Sequence, residues 1–164
     1  MKKGGGLAGR ILLVIYIVIL IDVLFLMRGM YTDVSQMFSE AYMASVKQYA
    51  KTSVNLVPFK TIRNYWYMVE QYGISGGNRI WWQNLAGNFV LFLPMGCLLP
   101  FLFPRFRSFF KTVGFTTFLV ICVELLQLLT FTGSCDIDDL ILNAAGCMAG
   151  YLLYKVLFSW RLKN

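Results

Sequence analysis

The sequence predicts an all-α integral membrane protein: a bundle of four transmembrane helices with both termini cytoplasmic and one long, partly helical outer loop. Three observations predict it. Of the 164 residues, 58% are apolar and the mean hydropathy is +0.62, too greasy for an ordinary soluble domain. Four apolar stretches, at about 11–27, 84–103, 109–131 and 137–158, are each long enough to cross hydrocarbon as a helix. The basic residues also segregate. Four crossings put Lys2, Lys3, Arg10, Arg105, Arg107, Lys111, Lys155, Arg161 and Lys163 on one face, which the positive-inside rule makes cytoplasmic. The whole chain, 1–164, reads as a single membrane domain.

The first span follows Lys2, Lys3 and Arg10 and superficially resembles a signal peptide. Arg28, Gly29, Met30 and Tyr31 offer no small-residue cleavage site, so the segment reads as an uncleaved anchor close to the minimum crossing length. Residues 28–83 form the only long connector, and that length argues for structure of its own. Residues 33–51 are good helix formers, with Met37, Ala41 and Ala44 on one stripe. Pro58 then disfavours helix at Val57 and breaks the segment at 55–59. A second helix is expected over 61–72, where Tyr65, Trp66 and Tyr67 suit an amphipathic element lying on the bundle. Residues 73–78 are a turn-rich linker.

The second span opens with Asn84 and Asn88, and Pro100, Pro104 and Arg105 are expected to end it. Trp81 and Trp82 at its outer start, and Trp160 at the inner end of the fourth span, stand where indoles anchor to the interface. The third span carries Glu124 and Gln127 on one face, with Phe131 continuing that face. In the fourth, positions 136, 139, 143, 146 and 150 share one helical stripe, so Asp136, Asp139 and Asn143 run into Gly146 and Gly150. The two glycines form a G-x-x-x-G seam suited to close helix packing. Asp138 lies about 100° around the helix from Asp139, so the two are expected to do different jobs, with one of them capping the helix N-terminus.

The acids and amides of these spans therefore fall at one end only. Such groups are expensive in hydrocarbon and by default mark a functional site. Glu124, about 10 Å along its helix from Phe131, meets Asn143 and Asn88 at matching depth. Asp22 is either a fourth wall or a group facing water near the interface. The predicted polar pocket is Asn88, Glu124, Gln127, Asp136, Asp139 and Asn143. Glu124, Asp136 and Asp139 could hold a divalent cation such as Mg²⁺ or Ca²⁺, which prefers carboxylate and amide oxygens and could grip a lipid-linked phosphate. A buried carboxylate could instead act as acid or base, or bind a cationic amine. The plainer alternative is a hydrogen-bonded network that locks helix packing.

Other classes are disfavoured. The net charge of +7 encodes orientation and contact with anionic lipids, and nucleic acid is not an expected partner. Histidine is absent, and the four cysteines have no metal-like spacing. Cys97, Cys122 and Cys147 lie in spans, so no disulfide is expected with Cys135.

Four stretches carry a family resemblance: Asn55-Leu-Val-Pro-Phe59, Asn88-Phe-Val-Leu-Phe-Leu-Pro94-Met-Gly96, Glu124-Leu-Leu-Gln127, and Asp136-Ile-Asp-Asp139 running on to Asn143-Ala-Ala-Gly146. Together and in this order they resemble the VanZ-like family of small bacterial membrane proteins. Some members have an arginine shortly before the Asp-x-Asp-Asp stretch; Gly133 and Ser134 stand there in this chain. The family is named for a member that raises resistance to teicoplanin, a lipoglycopeptide. The resemblance implies a cell-envelope protein of a Gram-positive bacterium, in the cytoplasmic membrane, with an effect on glycopeptide susceptibility. The leading expectation is an outer-leaflet pocket that engages membrane lipids, a lipid-linked envelope precursor or a lipoglycopeptide. The alternatives are a metal-assisted enzyme acting on a lipid-linked cell-wall precursor, with Ser134 and Cys135 the nearest nucleophiles, and a structural membrane partner. A transporter would require an oligomer.

Overall fold

The computed structural model describes residues 6–28, 34–73 and 79–162. The linker at 74–78, Lys2, Lys3, Asp33 and Lys163 lie outside the described residues, as do the side chains of Trp81, Trp82, Trp160 and Arg161.

Four helices are long and apolar enough to cross a membrane. Helix α1, Leu7–Ile21, continues as a π-helical turn over Asp22–Leu26. It starts four residues earlier than the expected 11–27. Helix α4 spans Arg79–Leu102, α5 Phe109–Leu129 and α6 Ile137–Leu162. The connector adds α2, Glu40–Ser53, and α3, Lys60–Tyr72. Gly9 packs against Phe101 and Leu102, and Phe101 stacks near Phe158 at 4.7 Å between ring centroids. The beginning of α1 and the far end of α6 thus share one end of the bundle, near the basic α4–α5 turn. The acids gather at the other end.

The second span ends at Leu102, one residue from the expected 103, although Pro100 by itself does not stop the helix. Helix α4 runs through both Pro94 and Pro100 to Leu102. Proline is tolerated in a transmembrane helix when neighbouring groups satisfy the freed backbone. Here the Tyr16 hydroxyl donates to the Leu91 carbonyl at 2.8 Å, one residue beyond the carbonyl that Pro94 cannot pair.

Helices α4 and α6 make the tightest pair. A Cβ on Gly146 would collide with the Phe89 carbonyl, and one on Gly150 with the Leu93 carbonyl. In the reverse direction Gly96 accommodates the Cys147 carbonyl. Backbones meet on both sides, as small-residue seams permit. Tyr16, Leu20, Leu24, Phe92, Met95, Leu99 and Val120 form the buried core. Ile11, Val14, Val18, Phe118, Leu125 and Val156 are exposed, the apolar coat a span presents to lipid.

The connector departs most from expectation. Ahead of α2 lies a single 3₁₀ turn, Val34–Gln36, and α2 begins only after Ser39, whose Oγ accepts from the Tyr42 amide at 3.2 Å. This is an N-cap, which fixes the start of the helix. The 55–59 break contains a two-residue strand β1, Val54–Asn55, pairing in parallel with β2, Cys135–Asp136. That short ladder pins the connector to the entrance of α6.

Candidate functional site

Three aspartates near the start of α6 have separate tasks. Asp136 is not on the α6 stripe; it sits in β2 as the residue before the helix. Its Oδ1 accepts from the Asp138 amide at 2.9 Å, an N-cap bond, and from Asn55 Nδ2 at 3.0 Å. Its Oδ2 accepts from the Thr61 hydroxyl. Asp138 is fully buried. Its carboxylate accepts from the backbone amides of Phe59, Thr61 at 2.7 Å and Ile62 at 3.0 Å. It therefore caps α3 from across the structure, where unpaired amides and the helix dipole favour an anion. The two adjacent aspartates, Asp138 and Asp139, do have different jobs, but neither caps α6: Asp136 does, and Asp138 caps α3. Asp139 receives a hydrogen bond from Asn88 Nδ2, which joins α4 to α6.

Glu124 is buried and its Oε2 accepts from the Asp136 amide at 3.3 Å. Gln127, 2% exposed, points elsewhere: its Nε2 donates at 2.9 Å to the Leu24 carbonyl in the π-helical turn. Gln127 is a tie between α1 and α5. Asn143 is buried, and its Oδ1 has no hydrogen-bond partner among the described residues. Asp22 is exposed, so it faces outward and forms no wall of the cluster.

Phe131 does not continue the Glu124 face. Helix α5 stops at Leu129, and Phe131 takes a left-handed backbone, φ 56°. The Thr132 amide bonds back to the Gln127 carbonyl at 3.0 Å, which closes a Schellman-type cap usually made with glycine. The Phe131 ring is gripped by Tyr42 and Tyr49 at centroid distances of 5.4 and 5.1 Å. Tyr42 and Tyr49 also donate to the carbonyls of Leu129 and Gly133, at 2.6 and 3.2 Å. Helix α2 thus clamps the turn that leads into β2.

Several site residues escaped sequence reasoning. Asn55 and Thr61 are bound to Asp136, although only Asn55 lay in a motif worth singling out. Tyr65 of α3 bonds to Asn84; burial pushes its phenol up, the Asn84 bond pulls it back, and nearby Asp139 and Asp136 add to the upward push. Arg28 lies beside Gly133, where a Cβ would stand 3.0 Å from its Nη1. Its positive charge acts on both Glu124 and Asp139. Only its place just past an apolar span signalled it.

Two cavities flank the cluster. One, about 180 Å³, is lined by Leu56, Ile121, Leu125, Ile137 and Leu140, with Glu124, Cys135 and Asp136 on its wall. Burial, with help from Glu124 and Asp136, pushes the Cys135 thiol up, so it is a poor nucleophile near neutrality. The other cavity, about 660 Å³, lies between α1 and α4 and is lined by Val23, Met27, Arg28, Asn84, Asn88 and Leu91 among others. Among the described residues, no three of Asp, Glu, Cys or His gather as metal ligands. Asp136 in particular spends its oxygens on Asn55, Thr61 and the Asp138 amide, which leaves the Glu124–Asp136–Asp139 metal set without geometric support.

Four apolar spans, a basic end, and a polar cluster roofed by a folded connector define a multi-pass helical membrane protein with a structured site at one end of its bundle. The VanZ/LLP1 family profile matches residues 13–158, and the chain belongs to that family. It is similar to Protein VanZ of Enterococcus faecium, at 29% identity over 110 residues. That alignment covers 67% of this chain and 57% of the relative, so the match spans little more than half of the relative's length. No solved structure matches the chain.

Proposed function

We propose that this VanZ-type protein sits in the bacterial cytoplasmic membrane with its acid-rich end in the outer leaflet, engages an amphiphile there, and thereby alters glycopeptide susceptibility, teicoplanin above all. The observation that carries this reading is the cavity between α5 and α6. Its lining is almost wholly aliphatic, yet Glu124 and Asp136 stand on its wall. Ile121 and Leu125 on its rim are 42% and 49% exposed, so the cavity opens sideways toward lipid. An apolar void of about 150 Å³ accepts benzene, so 180 Å³ holds the end of an acyl chain. Leu56, Val57 and Phe59, all exposed, extend the apolar rim, and Pro58 stands among them. Apolar residues at that level suit an interfacial loop.

A lipid-linked envelope intermediate or the acyl chain of a lipoglycopeptide both fit such a groove. Basic residues at the opposite end support the orientation through the positive-inside rule. The test is to fill the groove. Ile121→Trp substitutes a position already in contact with lipid, so folding is expected to survive. Binding of a fluorescent short-chain phospholipid to the purified protein is expected to fall about tenfold, the equivalent of ~1.4 kcal/mol. Unchanged binding in a folded Ile121→Trp protein would contradict the reading.

A further inference from the structure

The larger cavity is chemically unlike the acyl groove. Its mouth carries Arg28, an exposed residue at the end of the first span, and its wall carries Asn84 and the buried Asn88. Among the described residues, Arg28 makes no ion pair within bonding distance, and Asp139 joins the same wall through the hydrogen bond it accepts from Asn88. Gly133 leaves the room its guanidinium occupies. A guanidinium presents a planar fork of donors suited to phosphate oxygens, and amide groups beside it add further donors. The Asp139 carboxylate beside Asn88 would repel a bare anion. It would welcome a group that carries a hydrogen-bond donor next to its phosphate.

We propose that Arg28, with Asn84 and Asn88, forms a phosphate subsite at the mouth of the α1–α4 cavity, and that Asp139, held beside Asn88, accepts a hydrogen bond from a donor on the same lipid headgroup. This names the headgroup chemistry of the amphiphile and rests on the amphiphile reading. It assigns the cation of the site to the first span. The preferred ligand is a phospholipid whose headgroup bears an amine or hydroxyl, and a headgroup that cannot donate is bound less well.

Native mass spectrometry of the full chain in a non-ionic detergent tests this. The protein is doped in turn with dihexanoyl phosphatidylethanolamine, dihexanoyl phosphatidylcholine and inorganic diphosphate. The two lipids have equal net charge and chains but differ in N–H donors. The wild type is expected to retain the ethanolamine lipid several-fold better. Arg28→Gln is expected to lower retention of both lipids about tenfold, as loss of a charge-assisted hydrogen bond should, with Arg28→Lys in between. Full retention of both lipids by Arg28→Gln overturns the phosphate subsite, and equal retention of the two by the wild type overturns the role of Asp139. If Arg28→Gln retains lipid while Ile121→Trp loses it, the subsite falls and the amphiphile reading stands. If the wild type retains neither lipid but binds diphosphate in an Arg28-dependent way, the subsite stands as a site for free phosphate and the amphiphile reading falls. Binding of none of the three probes overturns both.

Discussion

Gly146→Leu is expected to be the most damaging single substitution in the chain, lowering stability by about 4 kcal/mol or more and depleting folded protein from the membrane. Overpacking a core usually costs ~1–3 kcal/mol, but here the obstacle is the Phe89 carbonyl of the facing helix. Backbone cannot swing aside as a flexible side chain can, so α4 and α6 must part. The damage spreads to the site, because the Asn88–Asp139 bond joins the same two helices about two turns back along α6. Gly114→Leu is the control: no atom lies within 4 Å of a Cβ at that exposed position, and its effect is expected to be slight. Thermal unfolding followed by size-exclusion chromatography in detergent separates the two. Equal stability of both variants would refute the seam.

Asp138→Ala is expected to detach α3 while leaving the four spans assembled. Its buried carboxylate holds the Phe59, Thr61 and Ile62 amides, and hydrogen bonds to an ionised acceptor are each worth about 1.5–3 kcal/mol without adding fully. A local cost on the order of 3–5 kcal/mol follows from breaking such a network. Phe59 adds to it, since its left-handed backbone, φ 62°, needs outside contacts to persist. Hydrogen exchange at residues 59–72 is expected to accelerate by orders of magnitude, with little change in α4 and α6. Asp138→Asn, which keeps one acceptor oxygen, falls between. Unaltered exchange in the alanine variant would show that α3 is held by something other than this cap.

These expectations show what could and could not be seen in the residues alone. The four spans were legible because an apolar run of crossing length has one economical structure in lipid. Gly146 and Gly150 were legible because helical spacing puts them on one stripe, and Asn88, Glu124, Asp139 and Asn143 because polar groups in spans are conspicuous. Asp136 was misplaced on that stripe because helix periodicity was carried one residue past the true start of α6. The cause was invisible locally: the pairing of Asn55 with Asp136 links positions 81 residues apart through a two-residue ladder. No periodicity marks so short a strand. Gln127 shares a face with Glu124 in sequence, yet the π-helical turn in α1 offers it the Leu24 carbonyl, an acceptor no pattern in α5 announces. Pro100 sits inside α4, two residues before its end at Leu102, so its helix-breaking tendency marks the neighbourhood of the end and not the last residue. Arg28 looked like a flank of the first span, and only the fold brings it to Gly133.

The account stands or falls on whether the acid-rich end handles an amphiphile that matters to the envelope. The most direct measurement is the teicoplanin and vancomycin susceptibility of a sensitive Gram-positive host expressing wild type or Glu124→Gln at matched membrane abundance. Glutamine keeps an oxygen for the Asp136 amide, so the fold is expected to persist while the carboxyl group on the cavity wall is lost. The account predicts that the wild type selectively raises teicoplanin tolerance and that Glu124→Gln abolishes the increase. Full tolerance in the variant, or no change with the wild type, would contradict it.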